Sequence, residues 1–304
     1  MASSVFVGNG INQLRGSEYS WRNVLIALAK SCGRPELAQD RAEKPFTLLF
    51  EEMVLCDDDT PDQEDRLKEK VARLVKRIDP IHVHQRIRNL QVRHILTPNY
   101  DYALERAMVS PHELANFGRE NRYSLFRRRQ SGAQFIWHIH GEADHPATIM
   151  LGHDQYVGYL VKIKTYLSPA RGHRDASADP RSPLIGGCTD FDDGDWPFSW
   201  LDVFLRDDVH ILGFSLDYTE IGLWWLITYK ARLRANNPRT PKGVHVGSTH
   251  YYYIYPGERS SRDEGRLEML QSMGVKVHRL NARSEYQEAV VAYEQAIDNI
   301  QAAI

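Results

Sequence analysis

The feature that most limits what this chain can fold into is a recurrence. Six short apolar runs, at residues 5–7, 92–96, 134–140, 209–212, 251–255 and 275–280, alternate with stretches of helical spacing. Four of them break into a turn built from small or polar residues. These turns are Gly8-Asn9-Gly10, Thr97-Pro98-Asn99-Tyr100-Asp101, His140-Gly141 and Gly213-Phe214-Ser215-Leu216. Strands separated by helices pair in parallel and bury both faces, so their sequences read as apolar runs.

The predicted fold is therefore α/β, a Rossmann-like parallel sheet with helices on both faces. Such sheets bind ligands outside the carboxyl ends of their strands, where the four turns fall. The first helix is expected at residues 21–30 (Trp21, Leu25, Leu28), and a later one carries Ile221, Leu223, Trp224, Trp225 and Ile227. Ser284-Glu285-Tyr286-Gln287 has the composition of a final helix start. Residues 33–90, approximately, form an inserted helical layer. Within it Thr60-Pro61-Asp62-Gln63 opens a helix whose face is Leu67, Val71, Leu74, Val75 and Ile78. Residues 168–197, approximately, are rich in Pro, Gly, Asp and Ser, and are expected to be a mobile loop, either a lid or a passive excursion.

Charge and cysteine content narrow the function classes. Thirty-eight Lys and Arg against 40 Asp and Glu among 304 residues give a net charge of −2, which argues against a protein whose main task is to neutralise a phosphate backbone. No stretch has the apolar length to span a membrane, and the first residues read as neither signal nor transit sequence, so a cytoplasmic location with no membrane partner is expected. Cys32, Cys56 and Cys188 are too far apart for a paired CxxC module, so no zinc ribbon is expected. The acidic cluster at Asp57, Asp58, Asp59, Asp62, Glu64 and Asp65 reads as a metal site or as carboxylates favoured at a helix start.

The turns hold the candidate chemistry. Gly8 and Gly10 let backbone approach a ligand, or simply make a tight turn. Asn99 and Asp101 are both good helix caps, yet one helix needs only one, which leaves the other to face the crevice. His140 has the chemistry of a general base, and His138, two residues earlier on an extended strand, would lie on the same side and could pair with it on a metal, with His145, His153, Asp101 or Asp217 as further ligands. Arg127-Arg128-Arg129, with Phe126, Arg119 and Arg122, reads either as a solvated charged face or as a nucleic-acid contact.

Taken in order, Gly-x-Gly-Ile-x at 8–12, Asn-x-Asp at 99–101, His-Gly at 140–141 and Gly-x-Ser-Leu at 213–216 resemble the sirtuin family, and more closely its bacterial sirtuin-like branch, in which the histidine turn continues as in Pro146, Ile149 and Tyr156. The resemblance implies one sirtuin-like domain over residues 1–304 with NAD as substrate. It implies that Gly8, Gly10 and Asn12 line the pyrophosphate, that Asn9 also binds the cofactor, that Asn99 and Asp101 hold the nicotinamide-ribose end, that His140 acts near the ribose hydroxyls, and that Gly213 and Ser215 support the adenosine side. The chain departs from the protein deacylases of that family in Asn9 and Asn12, in lacking the zinc ribbon, and in carrying Tyr253-Ile254-Tyr255-Pro256 where deacylases keep an asparagine.

The activity expected on this basis is that of an NAD+ glycohydrolase needing no metal, with Asp101 clamping nicotinamide, Asn99 orienting water and His140 handling the proton. The resemblance further implies an antiviral-defence effector that depletes NAD, acting as a homo-oligomer or with a HerA-type ATPase or argonaute-like partner. The alternatives are a silent module that senses NAD or ADP-ribose, and an NAD-dependent deacylase or ADP-ribosyltransferase.

Overall fold

The computed structural model describes residues 2–38, 44–56, 62–108, 112–114, 123–168, 182–185, 198–235, 245–256, 261–282 and 286–304. Its strands are β1 (Ser3–Val7), β2 (His94–Thr97), β3 (His112–Leu114), β4 (Arg128–Ser131), β5 (Gln134–His138), β6 (Asp208–Leu212), β7 (Thr249–Pro256) and β8 (Lys276–Ala282). They form one sheet in the order β3-β4-β5-β2-β1-β6-β7-β8. The six strands from β5 to β8 in that order pair in parallel. The order reverses direction between β1 and β6, the switch point at which a doubly wound sheet opens a crevice.

All six apolar runs are strands of this parallel core, as predicted. Alternate residues feed opposite faces: Phe6, Leu96, Trp137, Ile211 and Tyr251 join one core, whereas Val5, Val7, Ile95, Ile136, Leu212 and Tyr252 join the other. The ten helices among the described residues are α1 (Trp21–Ser31), α2 (Phe46–Leu55), α3 (Gln63–Val75), α4 (His82–Arg88), α5 (Ala103–Arg106), α6 (His153–Tyr166), α7 (Trp200–Arg206), α8 (Ile221–Arg234), α9 (Ser261–Ser272) and α10 (Tyr286–Ala303). Residues of α6, α7, α8 and α9 pack on the first face, and residues of α4 and α10 on the second.

The helical layer has its own core, made by Val24, Leu25 and Leu28 of α1, Leu49, Phe50 and Met53 of α2, and Leu67, Val71 and Val75 of α3. Its limits differ from those predicted, because α1 belongs to it while α4 covers the sheet through Val83 and Ile87. Asp62 precedes α3 with a left-handed φ of 71° and no capping hydrogen bond from its side chain. Thr60, Pro61, Ser284, Glu285, Asp57, Asp58, Asp59 and Cys188 lie outside the described residues, as does most of 168–197. Of that stretch Ser168 and residues 182–185 are described: the Ser182 amide donates to Tyr166 at 3.0 Å and Leu184 is buried in the core. Among the described residues no helix is long and apolar enough to cross a membrane.

One edge of the sheet departs from the expectation. β4 and β5 form an antiparallel hairpin whose two-residue turn uses Gly132 at φ +61°, and β3 extends it. The solvated-face reading of Arg127-Arg128-Arg129 is overturned, because all three are buried. The Arg128 guanidinium lies 4.8 Å from the Phe135 ring, 4.7 Å from Trp137 and 5.0 Å from Phe198. Arg129, on the other face, donates to Glu142 at 2.9 Å and Asp144 at 3.0 Å. Successive strand residues thus send one cation into an aromatic box and the next into an acidic one. Arg119 and Arg122 lie outside the described residues.

Candidate active site

A cleft of about 390 Å³ opens over the switch point. It collects Asn9 and Gly10 from beyond β1, Asn99 from beyond β2, His140 from beyond β5, Gly213 and Ser215 from beyond β6, and Tyr253 and Ile254 of β7. Six of the nine predicted site residues therefore meet in one place. Gly8, Asn12 and Asp101 do not line it.

The first turn is closed by protein rather than left open for a ligand. The Gly8 amide donates to Leu212 O at 2.9 Å and the Gly10 amide to Gly213 O at 2.7 Å, which ties the ends of β1 and β6 together. A Cβ on Gly8 would stand 2.5 Å from Gly213 O, so this glycine serves a close backbone approach between strands. A short 3-10 turn, Asn12–Arg15, follows before the first helix, α1, begins at Trp21 as expected. Neither glycine amide is thus free for a phosphate. Asn9, Gln13 and Ser215 line the cleft in its place.

Asn12 is fully buried beneath the turn. Its amide nitrogen donates to Asp101 Oδ2 at 2.8 Å and to Asn9 Oδ1 at 2.9 Å, and its oxygen pairs with His84 Nε2 at 3.1 Å. Asp101 also accepts from the Ala103 amide at 2.9 Å, so of the two candidate caps Asp101 serves α5. Burial raises the Asp101 pKa against the lowering effect of these bonds. Asp101 borders an adjoining hollow of about 280 Å³ whose wall shares Asn9, Trp21, Asn99 and Tyr100 with the main cleft.

Asn99 has the complementary situation. Its backbone carbonyl pairs with His138 Nδ1 at 2.9 Å and its amide donates to Thr97 Oγ1 at 3.1 Å, while its side chain bonds to no described residue. His138 is fully buried, and its Nε2 lies 2.7 Å from Glu105 Oε1. Burial depresses this imidazole, but the Glu105 carboxylate and its hydrogen bond outweigh burial and raise the pKa, so the pair is ionic beneath Asn99. Both ring nitrogens of His138 are engaged, and its neighbours differ from those of His140. The expectation that the two histidines share a side fails because β5 ends at His138 and the chain turns. Among the described residues no group of three or more His, Cys, Asp or Glu is placed to hold a metal ion.

His140 is held by the turn that follows it. Gly141 adopts φ +103°, and a Cβ there would stand 2.3 Å from Thr148 O, so only glycine lets the chain fold back and give the Met150 amide to His140 O at 3.0 Å. The imidazole packs against Tyr156 and Tyr159, with centroids 5.3 and 6.0 Å away. Burial lowers its pKa to about 3, so it is neutral at physiological pH.

Sequence reasoning missed the carboxyl behind it. Glu220, just ahead of α8, accepts from the Tyr156 hydroxyl at 3.3 Å through Oε1 and places Oε2 3.7 Å from His140 Nε2. Burial pushes this carboxyl up to about 8, Tyr156 opposes and Asp217 adds to the shift. The available signal was the polar run Asp217-Tyr218-Thr219-Glu220 between the Ser215 turn and an apolar helix.

A family model described as the SIR2-like domain matches residues 93–277, more than half of the chain. The chain belongs to the SIR2-like domain family. None of the curated proteins compared with it matches. Membership implies an NAD-related function, and SIR2-like proteins are typically NAD-dependent enzymes. The matched span contains Asn99, Asp101, His140, Gly213 and Ser215 of this SIR2-like chain. Gly8, Asn9, Gly10 and Asn12 precede it, and it is the sheet topology that sets their turn against β6.

Proposed function

We propose that this SIR2-like protein is an NAD+ glycohydrolase that breaks the bond between nicotinamide and ribose and gives ADP-ribose. The observation that carries the reading is the pairing, within one cleft, of an uncommitted Asn99 amide with a buried neutral His140. Cleavage leaves the bonding electrons on nicotinamide, which departs neutral, and positive charge on the ribose C1′. Water then bonds to C1′ and loses a proton. Asn99 has the free donor and acceptor to orient that water, and His140 the lone pair to take the proton. Asp101, at the edge of the adjoining hollow, is the nominated clamp for nicotinamide. Rate enhancement would come from positioning and from fixed dipoles around developing charge.

The absence of a paired CxxC module from the sequence and the tyrosine-rich end of β7 support hydrolysis over deacylation. The biological role follows from the family resemblance: an NAD-depleting effector of antiviral defence, working as a homo-oligomer or with a separate ATPase or argonaute-like partner.

Incubation of the chain with NAD, alone and with a candidate partner, followed by chromatography of the products, tests the activity. Nicotinamide and ADP-ribose in equal amounts are expected. Asn99→Ala and His140→Gln should each lower turnover by about 100-fold or more at an unchanged fold, as loss of an acid-base or orienting group does. NAD binding without cleavage would favour the sensing module, and consumption of NAD only with an acylated peptide would favour the deacylase.

A further inference from the structure

Glu220 is a buried carboxyl with one oxygen held and the other left over. Oε1 accepts from Tyr156, whereas Oε2 is out of contact with solvent and has no hydrogen-bond partner among the described residues. Across the gap stands His140 Nε2, 3.7 Å away. Stranding a carboxyl oxygen in a buried site is costly, and such an orphan in a native cleft calls for a role. We propose that Glu220 is the positioning residue of His140, a carboxyl whose ionisation selects which imidazole nitrogen can take the proton in the reaction.

A protonated Glu220 donates from Oε2 to Nε2, so the neutral imidazole carries its hydrogen on Nδ1 and has no lone pair left to offer. An ionised Glu220 accepts from Nε2–H, and the lone pair moves to Nδ1. In that state water can bond to the ribose C1′ and pass its proton to Nδ1, and the carboxylate balances the imidazolium that forms. The proton then leaves to solvent. A separation of 3.7 Å exceeds a hydrogen bond, and catalytic contacts of this kind commonly tighten when substrate binds.

The groups facing the pair set when the switch occurs. Tyr156 donates to Glu220, Asp217 adds negative potential near it, Tyr100 stays a neutral phenol because burial raises its pKa, and Tyr159 closes the other side of the imidazole. Asp217 is itself met by Arg262 at 3.4 Å. Burial keeps Glu220 protonated up to about pH 8, so the competent state appears as the pH rises through that value.

Glu220→Gln tests this, since the amide oxygen can still accept from Tyr156. This inference rests on the NADase reading, so the test has one arm that depends on NAD cleavage and one that does not. In the first, kcat/KM for NAD in the wild type rises to a plateau above about pH 8, whereas Glu220→Gln loses that limb and falls by about 100-fold in kcat with little change in KM. In the second, the imidazole nitrogens of His140 are followed by NMR in histidine-labelled protein, with His140→Gln identifying the signal. The wild type should exchange one tautomer for the other near pH 8, and Glu220→Gln should not. An unchanged activity limb together with the same tautomer at all pH in both proteins would overturn the assignment. If neither protein cleaves NAD at any pH, the NADase reading falls, and the tautomer titration alone decides the role of Glu220.

Discussion

Replacing Asn12 with alanine would test the scaffold beneath the cleft. The direction of each hydrogen bond follows from His84: the Ile81 amide donates to Nδ1 at 3.2 Å, so the ring hydrogen sits on Nε2 and is donated to Asn12 Oδ1. The Asn12 nitrogen then faces Asp101 and Asn9 as the donor both require. Alanine removes all three bonds and strands the His84 N–H and one Asp101 oxygen away from water. A stranded buried group costs about 1–3 kcal/mol, so the two groups stranded here cost about 4 kcal/mol together. For a chain of this size that loss lowers Tm by about 10 °C. Thermal melting followed by circular dichroism at neutral pH reads it, with urea unfolding as a second measure. Gln13→Ala is the control: the neighbouring residue lines the cleft and should leave Tm unchanged while raising KM for NAD. An Asn12→Ala protein that melts within about 2 °C of the wild type but no longer binds NAD would refute the reasoning and return Asn12 to the ligand.

Other outcomes follow from the same structure. Burial lowers His84 to about 4, His94 to about 3 and His140 to about 3, so their stabilising effect is complete above their unfolded value of 6.5 and is lost as the pH falls from there through the folded values. Each should cost about 2 kcal/mol at pH 5, opposed by the raised His138, and Tm should fall steeply between pH 6.5 and 4.5; a flat profile would contradict the burial of these rings. Arg128→Ala should lower Tm by several degrees through loss of its contacts with Phe135, Trp137 and Phe198, and should leave any affinity for DNA or RNA unchanged in a filter-binding assay. NAD turnover should be indifferent to EDTA, because both nitrogens of His138 are already engaged; activity lost to the chelator and restored by zinc or manganese would show otherwise.

The order of amino acids alone specified the parallel core. Val5-Phe6-Val7 can be apolar throughout only if both sides of the strand are covered, and alternate residues of β1, β2, β5, β6 and β7 do enter opposite cores. It also placed Asn99, His140 and Ser215 in one crevice, since turns after successive parallel strands share an edge of the sheet. The antiparallel β3–β4 edge was not legible, because Arg128 and Arg129 read as solvent-facing until the rings and carboxylates that receive them are brought from Trp137, Phe198, Glu142 and Asp144. Local pattern likewise could not decide between Asn99 and Asp101, which cap helices equally well; the fold shows Asp101 taking the Ala103 amide while Asn12, 89 residues away in sequence, holds its other oxygen. Glu220 is the clearest case. A glutamate before a helix is unremarkable in sequence, and only burial between Tyr156 and His140 makes its carboxyl a group that holds a proton at neutral pH, because desolvation is a property of the assembled fold.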